Sequence, residues 1–429
     1  MLRSFAVENF RSIKHRQTLS FEPSLRKKSR SSDDFDIWNN HGLLPALLLV
    51  GRNSSGKSNF LLAMSALQTL VAVSYKLSLG EELLQYSPFV LDEESSKQPT
   101  RFELDFTAND GLRYHYSLAL DRKNICEEYL HVYRTSKRTL LFSRNGPKGS
   151  TVEFGPSVVG PKSILKTQLL ENQLVLSKGA NSNVDTLIPP YEYIVSVLTC
   201  TGFDVLHRET IQAVTYSATM KSVFYQPELE FARRAETDKN IAPFVTRLLH
   251  AADTSIHGIQ TEYHEEQGNG GAKTMKYNIH FIHKSGSHDL AFDASMESLG
   301  TRRLLQISIY LYDVFRTGSV FVIDEIDRSL HPNLTELIVN LFQDPEFNRS
   351  GAQLVATTHN IGLLDVVRLD QVILVEKLAA DTTCQPMSNF NFPKAEGQQA
   401  SRWYLSGRLG AVPVVGIPIN PFDGGENDA

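Results

Sequence analysis

The sequence is poor in cysteine, in long apolar runs and in positive charge, and each shortage excludes a class of protein. Three scattered cysteines, Cys126, Cys200 and Cys384, fit neither a disulfide framework nor a cysteine-ligated metal site. The longest continuous apolar run, 43–50, is far shorter than the roughly 20 residues that span a bilayer. The formal net charge of −5 argues against a chain coated in basic surface, although a local nucleic-acid groove stays compatible with it. We therefore expect a cytoplasmic protein with no membrane span.

The remaining composition is that of an ordinary globular protein. A chain of 429 residues with 41% hydrophobic and 21% charged residues can bury one large core or two to three smaller ones. Charges at Arg3, Glu8 and Arg11 interrupt the N-terminal segment, which therefore does not resemble the apolar core of a secretory signal. The densest basic run, 25–30, is followed at once by acidic residues, and a solvated loop is its favoured interpretation.

Hydrophobic periodicity divides the chain into three regions. Region 1–160 contains two short strands, a buried apolar strand, a glycine-rich loop and a helix, and then period-two alternation typical of an antiparallel sheet. Region 161–285 is mixed and largely helical, with a loop at 265–274 and a hairpin turning at Ser285-Gly286. Region 286–429 alternates apolar strands with helices, which predicts a mainly parallel sheet and an α/β fold. Its predicted helices are 299–316, 333–343 and 361–367, and its predicted strands are 319–325, 352–358 and 371–377.

A phosphate-binding loop is predicted at 51–58, where GRNSSGKS fits G-x-x-x-x-G-K-S between a predicted strand and a predicted helix. Gly51 and Gly56 let the backbone curl, so that successive N–H groups face phosphate oxygens. Lys57 is expected to bridge the β- and γ-phosphates of ATP, and Ser58 to ligate Mg²⁺. The predicted nucleotide-binding set is Gly51, Arg52, Asn53, Ser54, Ser55, Gly56, Lys57, Ser58 and Asn59.

Three polar residues lie at the C-terminal ends of two apolar strands of the last region. Asp324 is expected to hold Mg²⁺ through water, together with Ser58, and Glu325 to polarise or orient the attacking water. His359 follows the next strand, and its position suits a contact with the γ-phosphate. The alternatives are solvated acids at a strand end and a structural histidine. Only the phosphate loop upstream favours the catalytic interpretation.

The order of four motifs resembles an ABC-type ATPase head. The motifs are GRNSSGKS at 51–58, ESLGTRR at 297–303, VFVIDEID at 320–327 and TTH at 357–359. ESLGT resembles a degenerate form of that family's signature loop. In the family, two heads pair head-to-tail, so that the signature loop of one head faces the γ-phosphate bound by the other head. The resemblance therefore implies a homodimer or higher homo-oligomer in which Ser298 and Gly300 contact the partner's nucleotide. A helix N-cap at Ser298 uses the same free N–H groups and is compatible with this role.

Other segments narrow the resemblance. FAVENFRSI at 5–13 is similar to the N-terminus of the RecF/SMC/OLD branch, and Arg11 would either approach the phosphates or be an ordinary surface arginine. Segments 171–184, 248–259 and 402–416 are similar to compact bacterial "AAA family ATPases" of phage-defence (abortive infection, AbiL- and RloA-like) systems.

That resemblance implies an ATP- and Mg²⁺-dependent dimeric switch that controls a separate effector. The effector would be an RloB-like, TOPRIM or HNH nuclease encoded by a neighbouring gene, and 161–285 would sense a trigger or dock this partner. The alternative is a RecF-like ATPase that binds DNA in repair or recombination. Gln85 or Gln98 would link Mg²⁺ to the inserted region, although neither lies in a motif.

A cluster of five histidines occurs near the predicted hairpin, at His257, His264, His280, His283 and His288. On one strand, His280 and His283 would face opposite sides. Exposed strand histidines are therefore favoured over a zinc site.

Overall fold

A computed structural model describes residues 1–24, 42–134, 137–148, 151–201, 227–267, 273–286, 288–390 and 400–409. The basic run at 25–30 and the tail beyond 409 lie outside these residues. The strands are β1 Leu2–Glu8, β2 Gln17–Ser20, β3 Ala46–Val50, β4 Thr100–Thr107, β5 Arg113–Leu120, β6 Ile125–Tyr133, β7 Arg138–Asn145, β8 Val152–Phe154, β9 Leu198–Thr201, β10 Ile256–Gln267, β11 Lys273–Ser285, β12 His288–Asp293, β13 Val320–Ile323, β14 Gln353–Thr357, β15 Val372–Leu378 and β16 Asp381–Pro386. The helices are α1 Lys57–Val73, α2 Lys162–Gln168, α3 Val175–Ala180, α4 Ile188–Val197, α5 Pro227–Thr237, α6 Ile241–Ala252, α7 Leu299–Thr317, α8 Pro332–Gln343 and α9 Ala400–Leu405.

An antiparallel sheet of seven strands, in the order β2-β1-β4-β5-β6-β7-β8, covers one side of the molecule. Period-two alternation places every second side chain of these strands toward the core, and this buried face is rich in aromatic rings. Phe106 stacks on Tyr193 of α4 with ring centroids 4.3 Å apart. The structure confirms the predicted antiparallel sheet and adds β1 and β2 to it.

A second sheet has the order β16-β15-β3-β14-β13-β9, in which all neighbours except β15 and β16 run parallel. On β3, Leu47 and Leu49 join the core beneath the antiparallel sheet and α1, whereas Leu48 and Val50 join the core around α7. Both faces are therefore covered, which explains why β3, β13 and β14 are apolar throughout. This confirms the predicted α/β fold with a mainly parallel sheet.

Several local predictions were wrong. Residues 361–367 form a 3₁₀ turn at Ile361–Asp365 rather than a helix. Strands β9 and β16, which lie at the two edges of the mainly parallel sheet, were not predicted. Part of the predicted loop at 265–274 is strand, because β10 and β11 pair as far as Gln267 and Lys273.

The middle region combines helices with a sheet of its own. Strands β10 and β11 form an antiparallel sheet with β12, which lies just beyond residue 285, and the predicted hairpin is confirmed by the pairing of Ser285 with His288. Buried residues of α5, α6 and this sheet, such as Phe231, Val245 and Phe281, join the apolar core of α7. Helices α5 and α6 and this sheet thus share the core of the helix that follows the predicted signature loop.

The segment Lys57–Lys76, which contains α1, is long and apolar enough to cross a membrane by length and composition. However, 72% of its most apolar window is buried, and its side chains pack beneath the antiparallel sheet. The apolar character of α1 is therefore that of a core helix.

A buried network anchors 171–184, one of the segments that carry the family resemblance. Arg144 is fully buried, and its guanidinium donates to five backbone oxygens. Those of Gly146, Leu170, Glu171 and Gln173 lie at 2.6–3.3 Å, and that of Pro147 lies closer. Opposite Arg144 in the sheet, the Glu128 carboxylate accepts from the N–H groups of Val175 and Leu176 at 2.6 and 3.0 Å. Burial raises the pKa of Glu128, while Arg144 acts in the opposite direction. The pair thus joins α3 to the antiparallel sheet.

The turn between β15 and β16 is strained. Leu378 pairs with Asp381, and the two residues between them, Ala379 and Ala380, have φ values of 44° and 76°. Two successive positive φ values are typical of a type I′ turn, which favours Asn-Gly because alanine at positive φ has a steric penalty.

Replacing Ala379-Ala380 by Asn-Gly is expected to raise the free energy of unfolding by about 1–2 kcal/mol, because the new residues adopt positive φ with little strain. Chemical denaturation at equilibrium measures the change. Ala380→Val is the opposing control, since a β-branched residue tolerates this conformation poorly and should destabilise the protein. Equal stability of all three proteins would contradict the assigned strain.

Candidate active site

The phosphate loop leaves β3 and enters α1. Gly56 has φ 100°, and Ser54 also lies in the left-handed region with φ 63°. A Cβ atom on Gly51 would lie 2.2 Å from the Val375 carbonyl oxygen, and one on Gly56 would lie 2.2 Å from Thr382 Oγ1. Both positions therefore require glycine, as the motif predicts.

Lys57 points back onto the loop. Its Nζ donates to the carbonyl oxygens of Gly51 and Arg52 at 2.8 and 3.1 Å. Burial lowers the pKa of Lys57, and the nearby carboxylates, among them Asp324 and Glu325, act in the opposite direction. The ammonium group is thus held at the loop by oxygen atoms and negative charge, in a position where phosphate oxygens could replace its present partners.

Two residues far apart in sequence brace the loop. Thr382 Oγ1, on β16, donates to the Ser55 carbonyl oxygen at 2.9 Å and lies 2.7 Å from Ser12 Oγ. Asn59 Nδ2, in α1, donates to the same Ser12 hydroxyl at 2.6 Å. The backbones of these two residues are also hydrogen-bonded, since Thr382 N donates to Ser12 O at 2.7 Å. Sequence reasoning missed Thr382, whereas Ser12 follows Arg11 in the N-terminal motif and could have been noticed.

The acidic pair after β13 is fixed by a threonine of β14. Thr357 Oγ1 donates to Asp324 Oδ1 at 2.5 Å and accepts from the backbone N–H of Glu325 at 2.7 Å. Asp324 is 9% exposed, whereas the Glu325 side chain is 47% exposed and has φ 48°. The first carboxylate is therefore rigidly held, and the second is presented to solvent at a sharp bend.

A third acid, Asp327, links this bend to His359. Both of its carboxylate oxygens accept from the His359 backbone N–H at 3.2 Å. Arg328 lies 3.9 Å from Glu325, close enough for an ion pair. Sequence reasoning did not single out Asp327, although it lies within the quoted motif at 320–327.

These groups surround one cleft of about 680 Å³. Its lining residues are Ser12, Asn53, Ser54, Ser55, Gly56, Lys57, Ser58, Asn59, Asp324, Glu325, Asp327, Arg328, Thr357, His359 and Lys377. Ten predicted site residues, namely the seven from Asn53 to Asn59 and Asp324, Glu325 and His359, are therefore brought together.

Several predicted residues lie outside the lining. Gly51 contacts Val375, and Arg52 Nη2 donates to the Lys377 carbonyl oxygen at 2.9 Å. Arg11 is partly buried, and burial lowers its pKa. Neither Arg11 nor the two candidate glutamines, Gln85 and Gln98, line the cleft.

The signature residues Ser298 and Gly300 also lie outside the cleft of their own chain. Ser298 is exposed and caps α7, its Oγ accepting from Thr301 N at 3.0 Å. A Cβ atom on Gly300 would lie 2.9 Å from the Ser329 carbonyl oxygen. On either side of Ser298, Met296 and Leu299 are 67% and 75% exposed. The start of α7 thus presents free N–H groups and apolar surface outward.

The donor set of the cleft suits a magnesium–nucleotide complex. The Ser55 hydroxyl is buried and finds no hydrogen-bond partner among the described residues. The Ser58 hydroxyl and the Asp324 carboxylate supply the oxygen ligands that Mg²⁺ prefers. Within the described ranges, no group of three or more His, Cys, Asp or Glu side chains could hold a metal ion, the described histidines of the middle region included.

A protein-family model described as "AAA domain, putative AbiEii toxin, Type IV TA system" matches residues 47–365, which is most of the chain. This range contains the predicted phosphate-loop, metal-binding, catalytic and signature residues, whereas Arg11 lies before it. No curated protein matches the sequence.

Solved structures resemble the chain at low identity. The Smc head bound to the C-terminal winged-helix domain of ScpA is 10% identical, with 90% of this chain and 99% of that chain covered and a TM-score of 0.48. An Smc head bound to the C-terminal domain of ScpA from Pyrococcus furiosus is 12% identical, with coverages of 90% and 97% and a TM-score of 0.43. The recombination mediator RecF is 12% identical, with coverages of 90% and 98% and a TM-score of 0.38.

Proposed function

The chain belongs to the AAA-domain family whose description names the AbiEii toxin of Type IV TA systems, and from this premise we propose that it binds and hydrolyses ATP with Mg²⁺. The family model confirms the predicted resemblance to an AAA-family ATPase. The activity, the assembly and the biological role are our proposals.

The residues that line the cleft have different roles in ATP hydrolysis. Loop N–H groups and Lys57 hold the phosphates, while Ser58 and Asp324 would hold Mg²⁺, which when bound neutralises charge on the phosphate oxygens. Glu325 accepts a proton from water, whose oxygen bonds to the γ-phosphorus as the bond to the β–γ bridging oxygen breaks. ADP and phosphate leave. The exposed position of the Glu325 carboxylate supports this assignment, because it can reach a water molecule.

One observation supports a shared site: Ser298 is exposed, Gly300 is half-buried, and both lie outside the cleft that their own chain forms. In a head-to-tail pair, Ser298 and the N-terminus of α7 would approach the γ-phosphate bound by the other chain, where the helix dipole stabilises negative charge. The apolar side chains of Met296 and Leu299 would be covered in such a contact.

Mixing two inactive variants tests the shared site. Lys57→Met removes the phosphate contact, and Ser298→Arg blocks the signature, so each protein alone should lose most activity. A 1:1 mixture should regain about a quarter of wild-type turnover, since half of the dimers are mixed and each contains one intact site. Lys57→Met mixed with Glu325→Gln is the control, because both changes lie on the same side of the site and should not complement. No recovery in the first mixture would refute the shared site.

We further propose that the ATP cycle gates a separately encoded effector, an RloB-like, TOPRIM or HNH nuclease, during phage infection. The family description, which names a toxin–antitoxin system, supports a role in toxicity control. Co-expression with the neighbouring gene product tests it, since Glu325→Gln protein should change phage protection only when that product is present. Salt-dependent binding of duplex DNA by this chain alone would instead favour the RecF-like role.

A further inference from the structure

The signature loop is joined to the three-stranded sheet of the middle region by a short, fixed connection. After β12, a 3₁₀ turn covers Ala294–Met296, and α7 begins three residues later, at Leu299. Asp293 accepts from the backbone N–H of Ser295, and Ser298 accepts from that of Thr301, so both ends of the connection are capped. A displacement of β12 therefore moves the signature loop with it.

A second contact ties the loop to the neighbouring strand β11. Glu297 directly precedes the signature serine, and its Oε1 lies 2.7 Å from His283 Nε2. The two side chains are only 6% and 13% exposed, so the contact is shielded from water and is stronger than a surface pair. The His283 ring also packs against Phe292 of β12, with centroids 4.7 Å apart.

The hydrogen-bond chain continues beyond His283 to the connection between α6 and β10. Ser255 Oγ donates to Asp253 Oδ1 at 2.7 Å and lies 2.9 Å from His283 Nδ1. The Glu297 carboxylate accepts from Nε2–H on one side of the ring, and Ser255 Oγ lies against Nδ1 on the other. His283 thus links Glu297 to the middle region.

We propose that His283 and Glu297 are positioning residues for hydrolysis: they hold Ser298 and Gly300 in the orientation that nucleotide on a second copy of the chain requires. The inference rests on the proposed function, because the orientation of the signature matters only if two copies share a site. Neither residue lines the cleft, so neither should affect ATP binding by its own chain. Through them, the three-stranded sheet sets the rate of hydrolysis.

Two variants of one residue separate positioning from packing. His283→Gln keeps an amide N–H that can reach Glu297, whereas His283→Asn keeps an amide near Ser255 but is too short for Glu297. We expect His283→Asn to lower kcat about tenfold with KM for ATP changed less than about twofold, and His283→Gln to keep at least about half of wild-type kcat. Glu297→Leu should resemble His283→Asn. A fluorescent ATP analogue should bind all three variants like wild type.

His250→Asn is the matched control. His250 lies in the same region, but its Nδ1 contacts the Ile256 carbonyl oxygen at 2.8 Å, a position that asparagine can occupy, and kcat should stay at the wild-type value. Thermal unfolding verifies that the variants fold. Equal losses in His283→Asn and His283→Gln, or no loss in His283→Asn, would overturn the inference. If wild type hydrolyses no ATP, or Ser298→Arg is fully active, the proposed function fails instead.

Discussion

Glu325→Gln should lower kcat for ATP hydrolysis by at least about 100-fold, because an amide cannot accept the proton of the attacking water. Binding of ATP should persist, since Lys57 and the loop N–H groups are unchanged. Steady-state phosphate release measures kcat, and calorimetry measures ATP affinity. Glu336→Gln makes the same change at an exposed position on α8 and should hydrolyse ATP at the wild-type rate.

The Glu325→Gln protein should accumulate as a closed, head-to-tail dimer. With hydrolysis blocked, ATP stays between the loop of one copy and the signature of the other, so the Glu325→Gln protein should elute as a dimer with ATP and as a smaller species without it. Adding Ser298→Arg to this variant should abolish the dimer. Wild-type turnover by Glu325→Gln would show that another group accepts the proton.

Arg144→Met should lower the free energy of unfolding by about 3–5 kcal/mol, the size of effect expected when one of two interacting buried charges is removed. The change leaves the buried Glu128 carboxyl group without the neighbouring guanidinium, and five carbonyl oxygens lose their hydrogen-bond donor. Denaturation in urea measures the loss. The control is Arg138→Met on the same strand, an exposed site where the change should stay within about 0.5 kcal/mol.

A double variant separates the charge interaction between Glu128 and Arg144 from general packing. Glu128→Leu combined with Arg144→Met removes both charges, so the double variant should lose less stability than the sum of the single variants. Additive losses would show that the two side chains contribute independently and that the pair is not a unit.

Local signals carried most of the correct predictions. The phosphate loop was predictable because a backbone that closes around phosphate leaves no room for a Cβ atom at certain positions. Gly51 and Gly56 are such positions. The apolar strands β3, β13 and β14 were predictable because both of their faces are buried. The roles assigned to Glu325, His359 and the signature residues stay predictions until turnover is measured.

The errors concern residues whose role depends on distant partners. Thr382 is an ordinary threonine in a short edge strand, and only the fold places it against Ser55, 327 positions away in sequence. Strand β9 has four residues and no alternation that a pattern could detect. The segment at 361–367 has helical spacing, yet Asn360 caps a 3₁₀ turn there through its contact with Gly362.

The brace around the phosphate loop also sets an order of events during synthesis. Ser12 and Asn59 emerge from the ribosome early, whereas Thr382 follows Ser12 by 370 positions. A growing chain therefore carries the complete G-K-S pattern for most of its translation without the hydroxyl that supports it. The loop can reach its supported form only after residue 382 has been made, so a product ended by an earlier stop codon would expose an unsupported loop.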